Sequence, residues 1–230
     1  MMLNIDTIKN LLTKDVFDPY GLKIGKVITY LTDPLQNITS IGIEFNNGSF
    51  SYNTLSDINL EDNSIILNYP WQIESKHLNE EYSTILRKNS ALLKLHNDGE
   101  ISQEIFNELQ TQYDLIIKNL TEKCNILTDN LQEKIRILNI QINDVKKSLI
   151  NLKIEYLVQT IDEKFYNTSN LLLRNMLNHF SLEKKDIDST LHNIPENSKF
   201  VQTIFQDLSP TTTVTNQSQP ILIRIKESEP

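Results

Sequence analysis

Glycine and proline are nearly absent from the middle of this 230-residue chain. All five glycines lie within the first 99 residues, and no proline falls between Pro70 and Pro195. Glycine permits positive φ angles and proline cannot donate a backbone hydrogen bond, so both residues mark turns and breaks. Their distribution divides the chain into a turn-rich head, a breaker-free middle, and a tail rich in proline, serine and threonine.

Cysteine and long apolar runs are also scarce. The single cysteine, Cys124, excludes an internal disulfide framework and a zinc site built from cysteines. No apolar run exceeds three residues, which is far too short for a transmembrane helix. Residues 1–12 lack the basic and apolar segments of a secretory signal. We therefore expect an intracellular, cytoplasmic protein.

Basic residues are outnumbered, with 22 Lys and Arg against 30 Asp and Glu, for a net charge of −8. This balance disfavours nucleic-acid binding as the main function, because phosphate contacts need a positive face. The glycine-rich phosphate and dinucleotide motifs, the zinc-protease motif and the nucleophile-elbow motif are all missing. The four histidines show no i,i+4 pairing. We therefore expect no catalytic residues, no metal site and no cofactor.

The head, residues 1–72, is typical of a small β-barrel. A turn at residues 18–21, with Pro19 and the closing Gly21, precedes a strand rich in Ile, Val, Thr and Tyr. A second strand at 38–45 alternates apolar and polar residues, and a hairpin turn ends at Gly48. Five or six short strands predict a closed or partly closed barrel that leans on its neighbours. Trp71, beside Pro70, should be a packing anchor where the barrel meets the helices.

The middle, residues 73–193, predicts a coiled coil. Apolar residues recur at steps of 4 and 3, which indicates a left-handed supercoil with a partner helix. One doubled 4-step, from Leu127 to Ile135, is a stutter that should locally unwind the supercoil. We call these residues the seam, and we predict that it makes the chain at least a dimer. The seam comprises Tyr113, Ile117, Leu120, Cys124, Leu127, Leu131, Ile135, Leu138, Ile142, Val145, Leu149, Leu152 and Tyr156.

Two N-cap patterns divide this region into three helices, at about 73–96, 102–158 and 163–191. Ser102 and Asp162 each stand between the paired apolar residues of a hydrophobic staple. The turn near Gly99 can fold the first helix back as a hairpin. The break before Asp162 lacks glycine and proline, so the helix there is either broken, continuous or only kinked.

The tail begins with a predicted flexible linker, residues 194–219, which is too polar to build a core. It ends in a peptide, 220–230, whose isoleucines alternate with other residues. Such a peptide can add as a strand to a partner's sheet edge, or it can be a last strand of the chain's own barrel. The candidate partner-binding residues are Ile221, Leu222, Ile223, Arg224 and Ile225.

Residues 18–27 resemble the opening of PRC-barrel domains, with Gly21, Gly25, Lys26 and Val27 in the expected order. A PRC-type barrel followed by a coiled coil, a polar linker and an Ile-rich terminal peptide resembles the CdvA family of archaeal cell-division proteins. This resemblance implies an α+β fold and a non-enzymatic cytoskeletal scaffold that polymerises at mid-cell, at the inner face of the membrane. It also implies recruitment of the ESCRT-III-like protein CdvB by residues 221–225.

Two other functions remain open from the residues themselves. One is a coiled-coil filament that binds DNA or associates with the nucleoid, and the other is an RNA-processing or ribosome-assembly adaptor. A short apolar segment at residues 3–12 is either an amphipathic membrane contact or a packing cover on the barrel.

Overall fold

The chain forms a curled six-stranded sheet followed by three helices in a computed structural model that describes residues 11–61 and 64–194. The α+β class, with a small β-domain followed by a long helical region, is therefore confirmed. A 3-10 turn, Leu55–Asp57, joins the fourth and fifth strands. The strands are β1 (Asp15–Phe17), β2 (Lys23–Thr32), β3 (Ile38–Phe45), β4 (Phe50–Thr54), β5 (Ile58–Glu61) and β6 (Ser64–Leu67). The helices are α1 (Pro70–Asn97), α2 (Gln103–Leu157) and α3 (Glu163–Asn193).

The sheet is a half-barrel with the strand order β4-β3-β2-β1-β6-β5. Neighbouring strands are antiparallel except for β1 and β6, which are parallel. The curled sheet leaves β4 and β5 as its edges, so the barrel is partly closed, as expected. No sequence pattern had indicated β5. The curled sheet encloses an aliphatic core, which comprises Leu11, Val16, Val27, Ile38, Ile41, Ile43, Ile58 and Ile65.

Gly25 marks a place where two strands approach too closely for a side chain. It pairs with Phe45 across β2 and β3. A Cβ added at Gly25 would lie 2.3 Å from the backbone oxygen of Glu44. Glycine in a strand interior often marks such a close approach, so its presence here has a packing reason.

Helices α2 and α3 start where the capping patterns predict, whereas α1 begins at Pro70, three residues before its predicted start. Ser102 Oγ accepts a hydrogen bond from the backbone N–H of Ile105, and Asp162 Oδ1 accepts one from that of Phe165. The break between α2 and α3 is real: Gln159 adopts φ 62° and the chain reverses there. A residue in the left-handed region commonly ends a helix, and here it is a glutamine rather than glycine. The alternatives of a continuous or kinked helix are therefore wrong.

Helix α2 is shared by two antiparallel hairpins that lie end to end. Its 55 residues span about 82 Å. Helix α1 packs against the first half of α2. At one end of this contact the rings of His96 and Phe106 stack, and at the other end Lys134 Nζ lies 4.6 Å from the ring centre of Tyr69. Helix α3 covers the second half, beginning at the stacked rings of Tyr156 and Tyr166. The half-barrel sits near the middle of this rod, where all three helices meet.

Candidate functional site

The contact between the half-barrel and the rod is organised by Asp18, which follows β1 and is 1% exposed. Its Oδ1 accepts hydrogen bonds from the backbone N–H groups of Tyr20 and Leu22, at 3.0 and 2.8 Å. This is the backbone role that aspartate commonly has in a turn. Gly21, at φ +85°, completes the same turn. The turn therefore fixes the orientation of the carboxylate before any helix contacts it.

The other oxygen of Asp18 reaches into the rod. Its Oδ2 accepts a hydrogen bond from the Tyr69 hydroxyl at 2.8 Å and lies 2.6 Å from His179 Nε2 on α3. Burial alone would raise the pKa of Asp18, but the hydrogen bonds from His179, Leu22 and Tyr69 outweigh it and hold that pKa below its ordinary value. Asp18 therefore stays ionised, and its charge holds α3 against the sheet.

A second polar link lies beside the first. Tyr20 donates its hydroxyl to Asp186 Oδ2 at 2.8 Å, and the side-chain amide of Gln72 donates to the same oxygen at 2.7 Å. Burial, followed by the neighbouring carboxylates, raises the pKa of Tyr20 and of Tyr69 far above the usual range. Both hydroxyls therefore remain protonated donors. We call this network the barrel junction; it comprises Asp18, Tyr20, Tyr69, Gln72, His179 and Asp186.

An ion pair between helices continues the barrel junction into the rod. Glu183 on α3 is 5% exposed, and its carboxylate lies 2.7 Å from Lys134 Nζ on α2. The same ammonium group lies over the ring of Tyr69. The Lys134 ammonium group thus contacts both the Glu183 carboxylate and the face of the Tyr69 ring. These contacts offset the free-energy cost of burying the charge of Glu183. The pair fixes α3 against α2 at the level of the half-barrel.

The seam of α2 is covered by helices of the same chain. All thirteen of its residues are buried or half-buried, and those packed most closely are Leu120, Cys124, Leu127, Leu131, Leu138 and Val145. Helix α1 covers it with Leu78, Tyr82, Ile85 and Leu86, while α3 contributes Ile187. The single chain therefore shields the seam from water without a second copy, and a dimer formed through this seam stays a prediction.

The far part of the α2–α3 hairpin is much less shielded. We call residues 139–178 the distal hairpin; within them Val145, which is 7% exposed, is the one buried side chain. In a pair of helices, each helix buries only the side that faces the other. Apolar residues on the remaining sides are therefore exposed to solvent. Nine large hydrophobic side chains of the distal hairpin are 48–65% exposed: Ile140, Ile150, Ile154, Leu157, Val158, Phe165, Leu171, Leu172 and Met176.

An apolar groove lies between the inner face of the half-barrel and the first turn of α1. Its volume is about 670 Å³, and half-buried Ile24, Phe45 and Leu67 line its floor. Pro70 and Ile73 form the helix side, while Asn53 on the edge strand β4 contributes to the rim. The rim also carries the carboxylates of Asp57 and Glu74, and no lysine or arginine lies among its lining residues. We call this cavity the barrel groove.

A family model described as a CdvA-like coiled-coil domain matches residues 70–219, about two thirds of the chain. The chain belongs to the CdvA-like coiled-coil family. Cell division protein A of Sulfolobus acidocaldarius is 22% identical to it over 191 residues, which cover 83% of this chain and 80% of that protein. The match to the CdvA-like model begins at Pro70, the first residue of α1, and runs into the predicted linker.

The predicted site residues of this CdvA-like chain fall into two groups. The seam lies along α2 as described above, whereas the terminal peptide with Ile221, Leu222, Ile223, Arg224 and Ile225 lies outside the described residues. Within residues 11–61 and 64–194, no helix has the length and apolar content to cross a bilayer. The same residues contain no group of three or more His, Cys, Asp or Glu placed to hold a metal ion.

Sequence reasoning missed the helix half of the barrel junction. His179 and Asp186 meet partners 161 and 166 residues away, a separation that no local pattern reveals. A weaker signal was available: His179, Glu183 and Asp186 lie at i, i+4 and i+7, so three polar residues share the face that should be apolar. A polar cluster on a packed face must find partners, and here the half-barrel and α2 supply them.

Proposed function

We propose that this chain is a non-enzymatic scaffold of cell division that assembles with copies of itself and recruits an ESCRT-III-like protein. Membership of the CdvA-like family supports the cell-division role, as does the name of the Sulfolobus relative. The observation that carries the scaffold role is the long rod with its exposed distal hairpin. An extended shape with uncovered apolar surface suits an assembly subunit.

Self-assembly follows from the surface of the distal hairpin. Its nine exposed hydrophobic side chains offer an apolar area on the order of 800 Å², about what one partner contributes to a standard interface. Exposed apolar surface often marks a site of contact with another protein. We propose that the hairpin packs against the hairpin of a second copy, which completes a bundle around residues that two helices cannot cover alone.

Recruitment is assigned to the terminal peptide, by strand addition to the partner. Backbone hydrogen bonds supply register, and alternate side chains supply specificity. We propose that Ile221, Ile223 and Ile225 form the buried face, while Arg224 pairs with acidic residues at the rim. Assembly at the inner face of the membrane at mid-cell completes the proposal, supported by the family resemblance.

The test is calorimetry of the full chain with a purified ESCRT-III-like protein from the same organism. We expect Ile223→Asp to abolish binding, because it buries an unpaired charge at the centre of the contact. Leu222→Asp is the matched control, since it places the same charge on the opposite face of the strand, and Arg224→Ala should weaken binding modestly and reduce its salt dependence. Equal affinity of the wild-type chain and Ile223→Asp would refute recruitment by this peptide.

A further inference from the structure

We infer that the barrel groove is the docking site of the chain's own terminal peptide, residues 220–226, when no partner holds that peptide. The groove is an open apolar cavity beside β4, an edge strand of the described sheet. Its volume of about 670 Å³ lies within the range of cavities that hold compact ligands or several side chains. Ile24, Phe45 and Leu67 face this space half-buried, so a cover would remove further apolar surface from water.

The charges of the groove and the peptide are complementary. The rim carries Asp57 and Glu74, and the lining residues include no basic side chain. The peptide from Pro220 to Lys226 contains Arg224 and Lys226 and no acidic residue. Its three alternate isoleucines fit an apolar floor, while the two cations meet the acidic rim. An acidic peptide or a nucleic-acid strand would meet repulsion at the same rim.

The edge strand β4 supplies the backbone side of the contact. It pairs with β3 on one side and is the last strand of the described sheet on the other. Asn53 of β4 also lines the groove, so the cavity adjoins this edge of the described sheet. A short strand with alternating isoleucines can extend such an edge while one face of it enters the cavity.

The tether to the peptide begins after Ile194, the last described residue. Ile194 is 2% exposed and belongs to the same buried cluster as Trp71, which follows the groove residue Pro70. Residues 195–219 belong to the predicted linker, and a random-coil chain of 25 residues would span roughly 25–30 Å on average. Such a tether gives a local peptide concentration on the order of 1 mM, enough for a weak contact to form within one molecule.

Docking of the peptide in the groove concerns this chain alone and does not depend on the proposed ESCRT-III-like partner. Its consequence for regulation rests on the proposed recruitment, because a partner would have to displace the peptide from the groove before binding it.

The experiment uses full-length chains and a fluorescent synthetic peptide of residues 217–230, with binding followed by anisotropy. The chain carrying Ile223→Asp keeps its fold but has a disabled peptide, so its groove should be free and should bind the probe. The wild-type chain should bind the probe at least about tenfold more weakly, because its own peptide competes at high local concentration. Leu222→Asp should behave like wild type.

A second pair of variants locates the site. In the Ile223→Asp background, Glu74→Lys should weaken probe binding several-fold, because it reverses a charge on the groove rim. Glu81→Lys makes the same charge change one heptad further along α1, outside the groove, and should leave probe binding unchanged. Equal probe binding by wild-type and Ile223→Asp chains, or no binding by either, would overturn the inference. So would equal effects of the two lysine variants.

Discussion

Asp18 shows how one carboxylate can serve a turn and a tertiary contact at once. One oxygen closes the turn after β1, and the other accepts from Tyr69 and contacts His179. Its role in the turn could be predicted, because aspartate beside proline and glycine is a turn signal. Its role in the barrel junction could not, because Tyr69 lies 51 residues away, just before α1, and His179 lies 161 residues away, on α3.

We predict that Asp18→Asn lowers the free energy of unfolding by about 1–3 kcal/mol. Asparagine keeps an oxygen for the backbone donors, but it places an amide group where Tyr69 already donates. Chemical denaturation followed by circular dichroism measures the loss. Asp33→Asn is the control, because Asp33 makes comparable bonds to Leu35 and Asn37 within an exposed turn. An equal loss in both variants would contradict a special role for the barrel junction.

The lowered pKa of Asp18 also predicts an acid dependence. A carboxyl group with a lower pKa in the folded state contributes stability above its unfolded value of about 3.9. That contribution is lost as the pH falls from about 4 through the lowered folded pKa. The wild-type chain should therefore lose more stability than Asp18→Asn between neutral pH and pH 3. Parallel stability curves for the two chains would show that Asp18 does not supply this dependence.

Gly25 gives a second prediction for a single residue. Gly25→Val places a side chain against the backbone of β3, so the half-barrel should lose about 1–3 kcal/mol or more. Lys26→Val, an exposed change at the next position of the same strand, should have little effect. Thermal unfolding compares the two, and the helical signal should persist longer than the sheet signal in Gly25→Val. Equal melting of the two variants would mean that the strands can separate to admit the valine.

At the scale of elements, the periodic and capping signals were the most informative. The seam predicted which face of α2 is buried, and Ser102 and Asp162 predicted where α2 and α3 begin. The periodicity could not show whose helices cover that face, because a heptad pattern fits a partner chain and a folded-back helix equally well. The chain reverses direction near Gly99 and near Gln159, so helices of the same chain cover the seam. At Gln159 no glycine or proline marks the reversal.

The shared helix α2 allows a matched test of its two faces. Leu131→Asp places a charge at a position that is 1% exposed, where α1, α2 and α3 meet, and should cost several kcal/mol with loss of helicity. Ile126→Asp makes the same change on the same helix at a position that is 60% exposed, and should change stability by less than about 0.5 kcal/mol. Circular dichroism of both chains checks this. Similar helicity in the two variants would contradict the described packing of the rod.

At the scale of the whole molecule, the order of half-barrel and helices could be predicted from the distribution of glycine and proline. The position of the half-barrel could not. The half-barrel comes first in the chain, which suggests a place at one end of the rod. In the structure it lies near the middle, because α1 runs away from the half-barrel and α2 runs back past it. The barrel junction stabilises this arrangement by joining β1 and α1 to the far end of α3.

Assembly through the distal hairpin predicts a further contrast. Ile154→Asp with Leu172→Asp should weaken self-association at least about tenfold while preserving helicity, because both positions are exposed in the single chain. Ile126→Asp, which lies on the same rod outside the distal hairpin, should leave association unchanged. Sedimentation over a range of protein concentrations measures the effect. A double variant with the wild-type mass distribution would exclude the distal hairpin as the contact.

The end-to-end arrangement of the two hairpins has a consequence for the symmetry of any polymer. A distal hairpin that packs against its own copy makes an isologous contact, which closes after two subunits. Continued growth then needs a different contact, and the opposite end of the rod, with exposed Leu95 and Ile105, is the free position for it. If that second contact also joins like to like, successive rods point in opposite directions. Such a filament has no polarity, so its two ends are identical and it can elongate equally from both.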